Sequence, residues 1–179
     1  LGHDALAAHQ IVITVSTATF MVYYGMGAAV AVRVSNYKSN NDIFNIKRTA
    51  SAGFHLTLVI AIFLSSIVFS LRHNFVDWFG QSGNMEINAM ILLIMFPLVL
   101  YQFGDALQIN YANALRGIAD VKPMMVIAFF SYFVVSLPLG YVFGFICDWG
   151  ILGIWMALPV GLTTAGLLLW GRFQRKTKQ

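Results

Sequence analysis

Five long apolar stretches separated by short polar linkers constrain this chain more than any other feature. They cover residues 7–32, 49–71, 87–114, 124–146 and 151–170. A helix needs ~20 apolar residues to cross a hydrocarbon core of ~30 Å, so each stretch is long enough to span a membrane. Membrane-spanning strands are shorter and alternate in polarity, which these stretches do not do. The sequence therefore predicts an all-α, polytopic membrane helix bundle with five transmembrane helices.

The composition supports a membrane protein. Apolar residues make up 59% of the chain and charged residues only 10%, whereas soluble domains average about 45–50% and about 25%. The single cysteine, Cys147, excludes a disulfide within the chain and a cysteine cluster for a metal. The net charge of +4 does not indicate nucleic-acid binding, because the basic residues lie between the apolar stretches rather than along one face.

The basic residues instead indicate how the chain is oriented. Ten of the eleven lysines and arginines lie in the first linker, the third linker and the C-terminal tail, and only Arg72 lies in the second linker. Because positive residues concentrate on the cytoplasmic side, those two linkers and the C-terminus should be cytoplasmic. The N-terminus would face outward, and no signal peptide precedes the first span. We therefore expect further spans upstream in a longer protein.

The linkers and the tryptophans carry local predictions. Residues 42–48 are a candidate short amphipathic helix, capped by Asn41 or Asp42. Residues 72–86 contain Gly and Asn and are predicted to form a loop. Tryptophans collect at membrane–water interfaces. Four are expected there, with Trp78, Trp149 and Trp155 on the outer side and Trp170 on the inner side.

The most informative single residue is Asp105, the only acid between residues 90 and 114. An ionisable group inside a spanning helix costs about 2.5–3.5 kcal/mol on insertion scales, so it is expected to face a cavity or a partner. Arg116 marks the nearer membrane surface, and ~1.5 Å per residue places Asp105 about 16 Å from it, near the bilayer midplane. Tyr101 and Gln108 share the helix face of Asp105, and Gln102 lies on a flanking face.

These polar groups suggest a site for a cation or a proton. The Asp105 carboxylate would bind Na⁺ or a proton, with the Tyr101 phenol in support, while Gln108, Gln102 and Tyr132 are candidates for lining a cavity. Burial favours the neutral carboxyl and a bound cation favours the charged form, so one site can exchange H⁺ for Na⁺. The alternative is that Asp105 only hydrogen-bonds to neighbouring helices, although one such bond contributes only ~0.6–2 kcal/mol.

No catalytic constellation is recognisable in the sequence. It contains no Gly-rich phosphate loop, no His, Cys and Glu spacing typical of a metal site, and no Gly-x-Ser-x-Gly elbow. Gly and Pro interrupt most of the spans, as in many transporters, although both residues are common in spanning helices generally. The sequence therefore favours a transporter over an enzyme and indicates no cofactor besides a coupling ion.

Six motifs, in chain order, resemble those of the multidrug and toxic compound extrusion (MATE) family. They are Ala5–Ile11, Gly27–Val34, Asp105–Gln108, Asn113–Gly117, Leu137–Tyr141 and Gly150–Trp155. In the family, the first two open and close the eighth helix, the next two belong to the tenth, and the last two belong to the eleventh and twelfth. Ser35 and Ala157 depart from the glycines usual in the family, and neither matches a site position.

The resemblance implies that residues 1–179 are the C-terminal lobe, helices eight to twelve, of a twelve-helix exporter in the cell membrane. Family members expel organic, often cationic and amphipathic, compounds in exchange for Na⁺ or H⁺ through a cleft between two lobes. In the NorM-like branch, a cation site includes the positions that match Asp105 and Tyr101, and a glutamate on the seventh helix completes it. The expected partners are the lipid bilayer, such drugs, the N-terminal lobe and the seventh helix.

Three other functions remain open from the residues alone. One is a flippase for lipid-linked oligosaccharides with a similar helix plan, which should carry Arg or Lys inside its cavity to hold pyrophosphate. The basic residues here lie at the ends of the spans instead. The others are a membrane enzyme, for which paired catalytic residues are missing, and a non-transporting membrane subunit, which would not need Asp105.

Overall fold

The computed structural model describes residues 2–79 and 85–178, which form helices joined by short turns. The helices are α1 (Gly2–Ser39), α2 (Ile43–Ser70), α3 (Arg72–Phe79), α4 (Met85–Gly117), α5 (Lys122–Phe129), α6 (Leu137–Tyr141) and α7 (Gly150–Lys176). Two π-helical segments, Phe130–Ser136 and Val142–Ile146, flank α6, so that Lys122–Ile146 is one continuous helix. No strand occurs among the described residues.

All five predicted spans are confirmed as helices long and apolar enough to cross a membrane. They correspond to α1, α2, α4, the composite helix Lys122–Ile146 and α7. Most of them run further than the apolar stretches. For example, α1 ends at Ser39 rather than at residue 32, because residues 33–39 contain no Gly or Pro to stop the helix.

A tight turn joins α1 to α2. Asn41 adopts the left-handed conformation with φ 53°, which Asn tolerates better than most residues. The Asp42 carboxylate accepts a hydrogen bond of 3.0 Å from the backbone N–H of Asn45 and caps α2. The predicted cap is confirmed, but the separate helix predicted over residues 42–48 is wrong. These residues begin α2 and continue into the span because nothing breaks the helix after the cap.

A short helix, α3, occupies most of the loop predicted over residues 72–86, so that prediction is wrong for Arg72–Phe79. Residues 80–84 of the predicted loop lie outside the described residues. The guanidinium of Arg72 donates a hydrogen bond of 2.9 Å to the Phe69 carbonyl and lies 4.4 Å from the centre of the Phe69 ring. Arg72 thereby connects the start of α3 to the end of α2.

The central helix of the bundle is α4, which packs against α1, α2 and α7. One buried cluster surrounds Ile91 near its start, a second surrounds Leu115 near its end, and a third surrounds Ala106 between them. Lipid is as apolar as these side chains, so close van der Waals packing and interhelical hydrogen bonds hold such a bundle together. Side chains on α4 are therefore fixed by neighbours on several sides.

Trp155 lies in this packed interior and not at the membrane surface. It is 1% exposed, and its ring centroid lies 5.5 Å from that of His9 on α1. The prediction that Trp155 belongs to an outer aromatic belt is therefore wrong, because its position one turn after buried Ile151 turns it toward α1 and α4. Trp149 and Trp170 are exposed.

The composite helix Lys122–Ile146 changes its hydrogen-bond register twice. The N–H of Leu137 bonds to the carbonyl of Tyr132, five residues back. The N–H of Cys147 bonds to the carbonyl of Val142, also five residues back. Pro138 follows the first shift and has no N–H to donate. The wider π turn therefore lies where a regular α register would lose a bond, as π-bulges in helices commonly do.

The helix α7 approaches the second π segment closely at Gly153. A Cβ atom at this position would overlap the main-chain carbonyl of Phe143 and lie 2.7 Å from the backbone nitrogen of Gly144. Only glycine lets the two backbones come this near. The contact fixes the composite helix against α7.

Polar contacts close one end of the bundle, which we call the basic end. It comprises the turns at residues 40–42 and 118–121 and the last turn of α7. Arg172 donates hydrogen bonds of 2.7 and 3.1 Å to the two carboxylate oxygens of Asp120. The ammonium of Lys38 donates to the carbonyl of Ile118. The Arg172 guanidinium holds the pKa of the Asp120 carboxyl below its usual range. These contacts connect the ends of α1, α4 and α7.

Replacing Gly153 by Ala should destabilise the protein. The added methyl meets backbone atoms, which cannot turn aside as a flexible side chain can, and such overpacking typically costs about 1–3 kcal/mol. The thermal unfolding temperature of the detergent-purified protein should fall by several degrees. Gly171→Ala is the matched control, because a Cβ there has nothing within 4 Å. Equal unfolding temperatures for the two variants would contradict the close approach at Gly153.

The Asp120–Arg172 pair should stabilise the fold only where Asp120 is ionised. Because the folded pKa of Asp120 is lowered, the contribution is full above the ordinary aspartate pKa of ~3.9 and disappears as the pH falls through the folded value. Arg172→Gln should lower the unfolding temperature by up to a few degrees at pH ~7 and by less at pH ~3. Exposed Arg175, changed to Gln, serves as the control. A loss that is the same at both pH values would refute the electrostatic origin.

Candidate functional site

The carboxyl of Asp105 lies inside the bundle, in the middle part of α4. Its side chain is 3% exposed. The preceding residue, Gly104, lies against α7, where an added Cβ would be 3.0 Å from both Leu162 Cβ and Thr163 Oγ1. This close helix contact leaves α4 little freedom to rotate about its axis. Asp105 is therefore held in the interior by the packing of the backbone next to it.

Three phenols from three separate spans surround the carboxylate. Tyr23 on α1, Tyr101 on α4 and Tyr132 on the first π segment all lie close enough to Asp105 to interact with its charge. Tyr23 is fully buried and the other two are half-buried. Asp105 and Tyr101, which the sequence placed on one helix face, are thus brought together, and Tyr132 joins them from the composite helix.

Each phenol also has a polar neighbour. The hydroxyl of Tyr23 donates a hydrogen bond of 2.7 Å to Oε1 of Gln102. Gln108 lies near Tyr132, and Ser16 lies near Tyr101. The hydrogen bond of Tyr23 holds its phenol between α1 and α4.

Two buried polar atoms in this region have no hydrogen-bond partner among the described residues, namely Oδ2 of Asp105 and Nε2 of Gln102. A buried acceptor without a partner costs about 1–3 kcal/mol, and more when it is charged. A proton or a cation on the carboxylate would remove that cost. The geometry around Asp105 thus favours a group that can be neutralised reversibly.

The donor set is made of carboxylate, phenol and amide oxygens, which suit a hard cation or a proton. Among the described residues, no group of three His, Cys, Asp or Glu side chains is placed to hold a metal ion. The described residues therefore lack the cluster of such side chains that commonly binds a soft or transition metal.

An apolar cavity of about 460 Å³ lies between the composite helix and α7. It is lined by Tyr132, Ser136, Leu137, Tyr141, Phe145 and Leu158, among others. The Ser136 hydroxyl donates a hydrogen bond of 3.1 Å to the Ala157 carbonyl, so its polarity is already satisfied. The cavity walls offer aromatic and aliphatic surface with two phenols, those of Tyr132 and Tyr141, which suits an amphipathic ligand.

Tyr132 both lines this cavity and lies close enough to Asp105 to feel its charge. The other two residues predicted to line a cavity do not line this one: Gln102 is fully buried and Gln108 is half-buried beside Tyr132. The amides support the phenols instead.

Tyr23 and Ser16 are not among the site residues predicted from the sequence. They lie seven residues apart, or two turns, on a buried stripe of α1 whose members recur every three or four residues. The stripe contains Ala5, Ala8, Val12, Ser16, Thr19, Tyr23, Val30 and Val34. This spacing could have identified both residues, since small and polar residues on one face of a helix mark a helix–helix contact in a membrane.

Comparison with known proteins gives the family. Residues 1–142 match the MatE family. The chain is 34% identical over its whole length to a probable multidrug resistance protein NorM of Xanthomonas campestris pv. campestris, of which it covers 39%. It is 32% identical to the multidrug resistance protein PmpM of Pseudomonas aeruginosa, again over the whole chain and 38% of that protein. The chain thus spans well under half the length of these relatives.

Solved structures share the fold. The outward-facing conformation of a multidrug resistance MATE family transporter of the MOP superfamily matches 99% of this chain with a TM-score of 0.90 at 12% identity, over 39% of its own length. The eukaryotic MATE transporter AtDTX14 matches 98% of the chain with a TM-score of 0.85 at 20% identity, over 40% of its own length. Helix arrangement and sequence agree, and the chain belongs to the MATE family of multidrug efflux transporters.

Proposed function

We propose that residues 1–179 form the C-terminal lobe of a MATE multidrug exporter. The lobe would work in the cell membrane and expel organic, often cationic, compounds by antiport with Na⁺ or H⁺. Its relatives NorM and PmpM carry multidrug resistance in their names. The positive residues at the basic end support a cytoplasmic location for that end and for the C-terminus.

The observation that carries the proposal is Asp105 buried among three phenols with one carboxylate oxygen unpartnered. In the proposed role, Asp105 binds the coupling cation or proton, and Tyr101 supplies a neutral oxygen beside it. Binding neutralises the carboxylate and relieves the cost of burying it. Ions at such depths are typical of secondary transporters.

In the proposed role, Tyr132 connects the coupling ion to the transported compound. It lines the apolar cavity and lies close enough to Asp105 to feel the carboxylate charge. A cationic compound in the cavity and a cation on Asp105 would repel each other, and both would compete for the same negative charge. Antiport follows if the two ligands stabilise different arrangements of the transporter.

The cavity at Tyr132 does not favour the flippase alternative. Binding pyrophosphate in an apolar cavity requires cationic side chains within it. The described lining of this cavity contains no Lys or Arg. The Asp105 carboxylate, whose charge reaches Tyr132 in the cavity wall, would repel a pyrophosphate and attract a cation.

Asp105→Asn in the full-length transporter should abolish cation-driven efflux while leaving the protein in the membrane. The amide keeps the shape of the side chain but cannot exchange a proton or balance a cation. Ethidium efflux from energised cells or vesicles is the measurement, and membrane abundance is read by immunoblot. Full efflux by the variant would rule out the proposed role of Asp105.

The matched control is Asp148→Asn, which makes the same chemical change in an exposed turn outside the spans. Asp148 has φ 57°, and Asn tolerates this conformation as well as Asp does. Efflux should match that of the unmodified protein. An equal loss in both variants would indicate a general effect of removing negative charge.

Tyr101→Phe should weaken cation coupling without removing it. The ring and its packing remain, and only the hydroxyl oxygen beside Asp105 is lost. Loss of one hydrogen bond or ligand of ~0.5–1.5 kcal/mol corresponds to a rise of about two- to tenfold in the Na⁺ or H⁺ concentration giving half-maximal efflux. Tyr24→Phe, at an exposed position on α1, is the control. An unchanged cation dependence in Tyr101→Phe would exclude the phenol from the site.

A further inference from the structure

A second site is indicated at the basic end, far along α1 from the Asp105 region. A groove of about 470 Å³ runs between α1 and α2. Its floor is apolar, formed by Met26, Ala29, Val30, Ala52, Gly53 and Leu56. Its rim carries Arg33 and Arg48, with Tyr37 beside them. The groove therefore has one cationic zone and one apolar zone.

The two arginines lie at the same level on neighbouring antiparallel helices. Arg33 is six residues before the end of α1 and Arg48 is five residues after the start of α2. At ~1.5 Å per residue, each lies roughly 8–9 Å from the turn at residues 40–42. The apolar floor continues about 10–12 Å further into the bundle, to Met26 on α1 and Leu56 on α2.

Neither arginine is neutralised by the part of the chain that the structure describes. The ion pair found there is between Arg172 and Asp120, at the other side of the basic end. The nearest acid in sequence, Asp42, is held by the backbone and side-chain nitrogens of Asn45. Both guanidinium groups are exposed and keep all their donors for a ligand.

Arg33 and Arg48 differ in their surroundings from other arginines near the helix ends. Such residues extend toward water and use nearby carbonyls or amides, as Arg72 does with Phe69 and Arg116 does with Asn113. Arg33 and Arg48 instead converge on one groove whose floor is apolar. Ala29, Ala52 and Leu56 leave that floor open at the outer surface of the helices.

We propose that this groove binds an anionic phospholipid, with the phosphate between Arg33 and Arg48 and an acyl chain along the apolar floor. Arginine is the side chain best suited to bind phosphate with two parallel hydrogen bonds. Basic pockets between transmembrane helices on the cytoplasmic side bind anionic lipid head groups for the same reason. The site is independent of Asp105 and needs only the membrane placement of α1 and α2.

The test compares lipids by native mass spectrometry of the full-length protein purified in a mild detergent. Dioleoyl phosphatidylglycerol should bind at least about tenfold more tightly than dioleoyl phosphatidylcholine, since each basic side chain adds attraction for an anionic head group. The double variant Arg33→Gln/Arg48→Gln should lose that preference. Lys47→Gln is the matched control, because Lys47 neighbours Arg48 in the chain but does not line the groove. It should bind phosphatidylglycerol as the unmodified protein does.

A second variant tests the apolar zone and protects against misfolding of the first. Ala52 is exposed and lines the floor, so Ala52→Phe should fill the groove without removing either positive charge. It should weaken phosphatidylglycerol binding several-fold while the gel-filtration profile stays unchanged. If the double arginine variant does not fold, phosphatidylglycerol binding by Ala52→Phe still tests whether the groove is the lipid site.

Three results would overturn the proposal. Equal binding of the two lipids would show that no anion site exists, and failure to retain any lipid would show that another part of the protein covers the groove. Displacement of phosphatidylglycerol by excess inorganic phosphate would indicate a site for free anions, since phosphate cannot occupy the apolar floor. Normal phosphatidylglycerol binding by Ala52→Phe would likewise exclude the groove as the lipid site.

Discussion

The structure depends first on the need to pair every backbone N–H and C=O group inside a hydrocarbon layer. Helices meet this need within one segment, which is why each of the five spans is a helix from end to end. The same need is met in the irregular span Lys122–Ile146, where the N–H of Leu137 bonds five residues back in a π turn just before Pro138. A proline alone does not cause this register, because Pro97 and Pro159 lie inside the regular helices α4 and α7.

Inside the bundle, where the backbone groups are already paired, the hydrogen bonds of the polar side chains show which of them hold helices together. Gln102 accepts from Tyr23, Asn110 donates to the Ala50 carbonyl at 3.0 Å, and Asn113 donates to the Ile109 carbonyl at 2.9 Å. Each of these α4 amides thereby holds a neighbouring helix or its own turn. Gln102 Nε2, Asn110 Oδ1 and Asp105 Oδ2 are all buried without a partner among the described residues. Asp105 differs from the amides because its carboxyl can gain or lose a charge, whereas an amide stays neutral.

Local sequence patterns were sufficient to predict the spanning helices. Apolar length predicted the five spans, and Tyr101 and Asp105 lie about one turn apart on α4, as their spacing predicted. Side-chain chemistry predicted Asp42 as a helix cap, which Asn45 confirms. These features depend on residues within one or two turns of each other, so sequence spacing contains the information.

What the sequence did not predict depends on how whole helices rotate and approach one another. Tyr23 and Ser16 join the site because one stripe of α1 packs on α4, and Trp155 is buried because α7 turns that face inward. The helix α3 was missed because its residues lack the apolar length that identified the spans. None of these follows from local spacing, since each helix offers several faces and the choice is made by packing between helices.

The π turn bears on the coupling proposed through Tyr132. A π register adds a residue to one turn and so changes the direction of the side chains on that turn. Tyr132 lies on this segment and lines the apolar cavity, and its phenol is close enough to Asp105 to feel the carboxylate charge. In the proposed coupling, a shift of this register by one residue would rotate Tyr132 relative to the cavity and to Asp105. Linking the two ligands in this way requires that each of them favours a different register.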